Sequence, residues 1–179
     1  MQDFIFENPK KKEVAYFSKK TVKINKLITK NLKFFSNYNK FNKSRFCCHD
    51  SKNSNVHEMI IFHKKGYYIR AHSHPGRSES IHVIKGKVDI ILFHDRGDIL
   101  DVIEMGDFLS DRIFYYRLNS EIIHTLIVRS KELIFHETTS GPFTKKNIKY
   151  AKWSPKKLNK KFQNKLLRSI SAYKKLYKI

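Results

Sequence analysis

The feature that most constrains the fold is a series of short apolar segments in the middle of the chain, each ended by a turn. The segments are rich in β-branched and aromatic residues and are separated by glycine or charged turns. This pattern predicts consecutive antiparallel strands in a sandwich or small barrel. The stretch 56–138 has no helical period, which argues against a βαβ fold. The predicted strands are 56–63, 67–74, 80–85, 87–94, 99–104, 112–118, 122–129 and 132–137.

Positive charge is concentrated at the two ends of the chain. Residues 1–45 carry a net charge of +9, residues 46–142 of −1 and residues 143–179 of +13, which together give the formal +21. The high isoelectric point is therefore a property of two basic flanks. No apolar run approaches the roughly 20 residues that cross a bilayer, and the acidic first residues do not resemble a signal peptide. The neighbouring Cys47 and Cys48 are a poor disulfide pair, so we expect a protein of the reducing cytoplasm.

Each basic flank contains an amphipathic pattern. In the N-terminal flank we predict an edge strand at 14–18 and a helix within 21–36. In the C-terminal flank, Ser154 and Pro155 suit the first positions of a helix. Apolar residues then recur every three or four positions as far as Tyr177.

Three interpretations of this basic tail helix are open. Most amphipathic helices dock on their own domain or on a second subunit, and we prefer this interpretation. The helix would otherwise lie on an anionic membrane surface, which would place the protein at the inner membrane face. Without a recognised nucleic-acid-binding motif, specific nucleic-acid binding is not expected, and any such affinity would be nonspecific and salt-dependent.

Histidines separated by one residue suggest a metal site in the middle region. His72 and His74 lie in one predicted strand and therefore point to the same face. Glu79 follows a turn, and His124 lies on a later strand. Three imidazoles and a carboxylate inside a barrel would bind a divalent transition metal such as zinc, iron, manganese or nickel. The alternatives are a solvated polar turn for the first three residues and, for His124, a core histidine bonded to a carbonyl.

The spacing of these residues resembles the first sequence motif of the cupins. The stretch Gly66-x5-His72-x-His74-x4-Glu79-x6-Gly86 matches that motif at each defined position. The second cupin motif is matched only at His124. The resemblance implies a mainly β cupin fold, a jelly-roll barrel or double-stranded β-helix, with N-terminal and C-terminal helical extensions. The implied division is an extension at 1–44, the barrel at 45–143 and the tail helix at 144–179.

A narrower resemblance rests on the order and spacing of the segments 45–49, 57–59, 68–74, 91–93, 124–126 and 136–143. With these segments, residues 22–143 resemble the WbuC family of cupin metalloproteins. That family is associated with O-antigen and other surface-polysaccharide gene clusters. The resemblance implies that Arg45 and His49 line a substrate pocket. Tyr68 and Arg70 have the same parity as His72, which predicts that they face the same interior and contact substrate. Arg70 would need an anionic partner there, and Glu137 is a plausible carboxylate behind the metal ligands.

These observations lead to one preferred function and two alternatives. The preferred function is a metal-dependent enzyme for a small polar, anionic substrate such as a sugar or nucleotide-sugar. Its step would be of the isomerase, epimerase, lyase or oxygenase type. The alternatives are a non-catalytic metal- or carbohydrate-binding module and a scaffold whose basic flanks bind anionic lipid or nucleic acid. Because cupins commonly form dimers, we also expect a homodimer.

Overall fold

The computed structural model describes residues 4–119 and 121–178, which form two β-sheets, two α-helices and a short 3₁₀ helix at Lys145–Asn147. The strands of the first sheet are β1 (Phe4–Phe6), β2 (Val14–Phe17), β3 (Lys43–Cys47), β4 (Val56–Lys64), β6 (Glu79–Lys85), β9 (Tyr115–Leu118) and β11 (Glu132–Ser140). The strands of the second sheet are β5 (His72–Ser73), β7 (Lys87–Phe93), β8 (Ile99–Gly106), β10 (Ile123–Val128) and β12 (Lys149–Tyr150). The helices are α1 (Lys26–Ser36) and α2 (Lys160–Tyr177).

The strand order identifies the fold. The first sheet has the order β1-β2-β3-β4-β11-β6-β9 and the second the order β12-β5-β10-β7-β8. The eight strands from β4 to β11 are divided between two four-stranded antiparallel halves. One half has the order β4-β11-β6-β9 and the other the order β5-β10-β7-β8. This is the jelly-roll arrangement of two Greek keys, which cupins share. The predicted mainly β jelly roll with helical extensions is therefore confirmed.

The main core lies between the two sheets. Ile81 and Phe135 from the first sheet meet Ile90, Leu92 and Leu126 from the second, and all five are buried. Their alternate spacing along each strand is the period-2 pattern of the sequence.

The hairpin between β6 and β7 depends on a glycine. Gly86 has a φ of +97°, and a Cβ atom there would collide with the carbonyl oxygen of Glu132. The last position of the motif is therefore occupied by the one residue that fits.

The two helices cover the outer faces of the barrel. Asn25 caps α1, which buries Leu32 against Phe46 of the first sheet. On the other side α2 buries Ile170 against the second sheet, and the Tyr173 hydroxyl donates to the Leu100 carbonyl at 3.1 Å. The preferred interpretation left open whether the tail helix docks on its own barrel or on a second subunit, and in the structure it packs on its own barrel. Within the described residues, no helix is long and apolar enough to span a membrane.

Three local predictions were wrong. Of the strand predicted at 67–74 only His72–Ser73 forms, because the preceding backbone is bonded to the C-terminal flank. The amide of Ala71 donates to Ser154 Oγ at 3.1 Å and its carbonyl accepts from the amide of Ala151 at 2.9 Å. Since the Ser154 hydroxyl is used there, the tail helix starts later, with Asn159 as its N-cap. The strand predicted at 14–18 is not an edge, because β2 pairs with β1 and β3.

Candidate metal centre

Four of the predicted site residues converge at one end of the space between the sheets. His72 of β5 lies directly opposite His124 of β10 in the antiparallel register. His74 directly follows the buried Ser73, at the end of β5. Glu79 begins β6 in the opposite sheet and is only 4% exposed. The donor atoms of the three histidines lie within 4.8 Å of one another.

Backbone carbonyls orient all three imidazoles. The Nδ1 atom of His72 lies 2.8 Å from the Arg70 carbonyl oxygen, and that of His124 lies 3.0 Å from the Ile122 carbonyl. The Nδ1 atom of His74 lies 3.3 Å from the carbonyl of Asn147, beside β12. A carbonyl can only accept, so each Nδ1 carries the proton and each Nε2 is left as the donor for a metal.

Glu79 faces two of these Nε2 atoms. Its Oε1 lies 2.9 Å from Nε2 of His124, and its Oε2 lies 3.2 Å from Nε2 of His74. Neighbouring donors at about 2.1 Å from one metal ion are about 3 Å apart, so these separations suit ligands of a common ion. Oε1 is buried and has no hydrogen bond of good geometry among the described residues. A buried carboxylate oxygen without a hydrogen bond, next to imidazole nitrogens, fits a metal ligand.

The charges in this cluster depend on one another. Burial acts to raise the pKa of Glu79, but the contacts with His124 and His74 hold that pKa below its usual range. Burial acts to lower the pKa of His124, yet the contact with Glu79 outweighs it and raises the pKa. Burial, helped by the other two histidines, lowers the pKa of His72 to about 4. The cluster therefore contains an ionised carboxylate and attracts positive charge.

The three histidines could therefore bind a metal ion, and Glu79 would add a fourth donor. Imidazole nitrogens with one carboxylate suit a divalent transition metal such as zinc, iron, manganese or nickel. A bound ion would supply Lewis-acid polarisation of an oxygen atom on a ligand. That His72, His74, Glu79 and His124 do bind a metal stays a prediction.

A cavity of about 370 Å³ opens from this cluster along the first sheet. Arg45, His49 and Glu137 all line it. That Arg45 and His49 contact a substrate there stays a prediction. Burial and the nearby charge of Glu79 raise the pKa of Glu137 to about 7, although Arg45 opposes this shift. The neighbouring Cys47 is buried, and burial raises the pKa of its thiol to about 11, which makes it a poor nucleophile.

The prediction that Tyr68 and Arg70 face this interior was wrong. Neither residue lies in a strand, so the alternation of strand side chains does not apply to them. The Tyr68 hydroxyl donates to the carbonyl of Pro155 at 2.9 Å. Arg70 Nε donates to the carbonyl of Ser154 at 2.9 Å, and Nη2 donates to that of Ala151 at 3.1 Å. Backbone carbonyls thus take the place of the anionic partner expected for Arg70.

The sequence interpretation missed two contributions from the flanks. Tyr16 of β2 lines the cavity and meets the ring of His49 edge to face, with ring centroids 5.7 Å apart. Asn147 supplies the carbonyl that orients His74. The strand pattern at 14–18 was visible in the sequence, but the pairing of β2 with β3 was not. A backbone carbonyl has no residue-type signal at all.

Comparisons with known proteins give one family match and several structural neighbours. The family model for a domain of unknown function, DUF6016, matches residues 36–105. No curated protein matches the chain. Similar solved structures include a protein from Shewanella oneidensis, with 10% identity, a TM-score of 0.46, and coverage of 57% of this chain and 66% of that one. CapF has 15% identity and a TM-score of 0.47, over 60% of this chain and 31% of its own. A mutant of Bacillus subtilis oxalate decarboxylase has 16% identity and a TM-score of 0.44, over 54% of this chain and 24% of its own.

This chain therefore spans less than two thirds of each of these three proteins. The assignment of the jelly roll rests on the strand order described above.

Proposed function

We propose that this chain is a metal-dependent cupin that acts on a small anionic molecule in the cavity between its sheets. The observation that carries the proposal is the position of the Glu79 carboxylate against Nε2 of His74 and His124, with each Nδ1 committed to a carbonyl. A purely structural cluster would not need three imidazoles in the same tautomer. A cavity that reaches the cluster leaves room for a ligand beside the ion, which a catalytic site requires.

The anionic character of the ligand is supported by Arg45. Its side chain lines the cavity, and its Nη1 donates a weak hydrogen bond, 3.7 Å long, to the sulfur of Met59. Within the described residues no carboxylate lies at ion-pair distance from this guanidinium. A guanidinium with unused donors in a pocket favours a carboxylate or phosphate ligand.

The resemblance to the WbuC family supports a narrower version of this proposal. In that version the substrate is a sugar or nucleotide-sugar used in surface-polysaccharide (O-antigen) synthesis. The step is an isomerisation, epimerisation or elimination next to a polarised oxygen. Arg45 and His49 would hold the substrate in the cavity, and Glu137 would exchange a proton with it near neutral pH.

Metal analysis of the purified chain tests the proposal. Protein prepared without chelator should contain about one transition-metal ion per chain. The double variant His72→Ala/His74→Ala should lose it, and the exposed His94→Ala should keep it as a matched control. Metal-free wild-type protein, or equal metal in the double variant, would overturn the proposal.

A further inference from the structure

A second cavity, of about 420 Å³, is lined almost entirely by lysines and aromatic residues. It lies between the segments 40–43, 64–68 and 156–158, which come from the N-terminal flank, the end of β4 and the C-terminal flank. None of its lining residues is acidic. We call it the lysine groove after its six lysines, which are Lys40, Lys43, Lys64, Lys65, Lys156 and Lys157.

Each of the three segments is fixed by hydrogen bonds. The side-chain Nδ2 of Asn39 donates to the backbone carbonyl of Lys43 at 2.7 Å. The backbone amide of Tyr67 donates to the carbonyl of Lys64 at 3.1 Å. Tyr68 and Arg70 hold the backbone at 154–155, just before Lys156. The groove is therefore a preorganised arrangement of positive charges on anchored backbone.

The positive charge of the lysine groove is largely uncompensated. Lys43 has a partner, Glu13 Oε1, at 2.7 Å. Among the described residues no carboxylate lies at ion-pair distance from the other five lysines. Like charges held together on anchored segments repel one another, and a multiply charged anion would relieve that repulsion.

The lysine groove continues into the cavity of the metal centre. Lys43 and Tyr67 line both cavities. In the first sheet, Lys43 lies opposite His63 of β4. Glu79 lies opposite Thr139 of β11, which in turn lies opposite His57 of β4, so these three residues form one row across the sheet. These rows are six residues apart along one strand, about 20 Å. A ligand that reaches both sites must be elongated.

We propose that the lysine groove binds the phosphate groups of an elongated small molecule whose other end lies at the histidine cluster. The part of this inference that places the other end of the ligand at the histidine cluster rests on the proposed function, whereas phosphate binding in the groove does not. A diphosphate concentrates its negative charge over a few atoms, which suits several ammonium groups in one groove. Nζ of Lys43 lies 5.6 Å from the ring centroid of Phe41 and 5.1 Å from that of Tyr67, so these two rings help to hold this ammonium group at the groove.

Binding of uridine diphosphate glucose to the full-length protein tests this inference. The probe carries the diphosphate that the groove is proposed to bind, and its affinity can be measured by calorimetry at fixed ionic strength. Because this diphosphate lies in the middle of the molecule, the probe tests the groove itself and not a contact with the histidine cluster about 20 Å away. The groove variant Lys64→Gln/Lys65→Gln/Lys156→Gln/Lys157→Gln should bind it at least about tenfold more weakly. The control Lys26→Gln/Lys30→Gln/Lys161→Gln/Lys165→Gln removes the same charge from exposed helix positions and should change affinity less than about twofold.

The outcomes separate this inference from its competitors. No binding by wild-type protein, or equal weakening in both variants, would overturn it. So would a groove variant that loses binding to duplex DNA or phosphatidylglycerol vesicles but retains uridine diphosphate glucose. Metal content is measured on the same samples, so a metal-free protein that still binds the probe through the groove would reject the proposed function and not this site. The smaller variant Lys64→Gln/Lys65→Gln should give an intermediate loss.

Discussion

Asp89 and Glu79 are both carboxylates that lie buried among cationic groups, and they differ in what neutralises them. Asp89 lies beneath α2 on the outer face of the second sheet and is fully buried. Its Oδ2 is 2.7 Å from Nη2 of Arg129 and 2.9 Å from Nζ of Lys174. Glu79 lies between the sheets, and its ion-pair partners among the described residues are the imidazoles of His74 and His124.

The difference separates a structural ion-pair network from a binding site. We call the network of Asp89, Arg129 and Lys174 the clamp, because it links α2 to the second sheet. Arginine and lysine remain charged at any ordinary pH, so the charge of Asp89 is neutralised without an added ion. Its other oxygen, Oδ1, has no hydrogen bond of good geometry among the described residues but lies 3.5 Å from Nη1 of a third permanent cation, Arg112. Imidazole loses its charge near neutral pH, so the Glu79 cluster is neutralised only in part. A buried carboxylate without a permanent counter-charge is costly, and an added cation removes that cost. We therefore expect a metal to stabilise the Glu79 cluster and to leave the Asp89 network unaffected.

The largest effect is expected when the clamp is broken. Asp89→Asn removes the negative charge but leaves Arg129 and Lys174 beside a neutral amide. The free energy of unfolding, measured by urea titration, should fall by about 3 kcal/mol, because breaking a buried ion pair leaves charges uncompensated. The metal content should not change. Asp95→Asn, at an exposed position after the same strand, should alter stability by less than about 0.5 kcal/mol.

A loss of less than about 1 kcal/mol in Asp89→Asn would mean that α2 does not depend on this network. The comparison between the two carboxylates would then fail, because the Asp89 network would not have the structural role that distinguishes it from the Glu79 cluster. The apolar contact of Ile170 with the second sheet would in that case be the main attachment of the helix.

The second effect concerns the Glu79 cluster and should appear in metal affinity. Glu79→Gln keeps the shape of the side chain but removes the charge that attracts a cation. Affinity for zinc, measured by competition with a chelator, should fall at least about 100-fold, which corresponds to about 2.7 kcal/mol. In metal-free protein the same change should cost less stability than Asp89→Asn. Unchanged zinc affinity would remove Glu79 from the ligands and reduce the comparison to two structural ion pairs.

The sequence predicted the interior of the barrel better than its periphery. Strands such as β4, β7 and β10 carry long runs of buried residues, and their type and bounds followed from composition and turn positions. The stretch 67–71 is equally apolar and aromatic, but its backbone bonds to a segment about eighty residues away. A local pattern contains no information on such a partner, and for the same reason Ser154 was interpreted as a helix cap.

The candidate site shows the same division. His72, His74, Glu79 and His124 come together because a strand-turn-strand unit and one cross-strand pair place them, and both features follow from spacing. Tyr68 and Arg70 were misplaced because parity holds only inside a strand. The lysine groove assembles from three distant segments, each of which resembles an ordinary solvated charge run. Sequence spacing can predict a site built on adjacent strands, but not one built where flanks meet.

The smallest effect is a pH dependence that belongs to the Glu79 cluster and not to the clamp. The pKa of Glu137 is raised to about 7 by burial and by Glu79. Between about pH 4.5 and 7 the folded chain therefore binds a proton that the unfolded chain has lost, and stability falls as the pH rises through this window. Glu137→Gln cannot lose that proton. In metal-free protein its stability relative to wild type should rise from pH 4 to pH 8. The pKa difference alone allows about 3 kcal/mol, and screening by solvent at this half-buried side chain lowers the expected rise to about 1 to 2 kcal/mol.

A matched exposed carboxylate makes this last measurement specific. Glu58→Gln lies on the neighbouring strand β4 with its side chain 52% exposed, and its stability should follow the wild-type pH profile. If Glu137→Gln also follows that profile, the region around Glu79 and Glu137 does not hold uncompensated negative charge. The Glu79 cluster and the Asp89 network would then differ only in their position in the fold. If the relative gain disappears when zinc is added, the ion has compensated Glu79 and Glu137 together. That result would sharpen the comparison, because the Asp89 network has no corresponding response to metal.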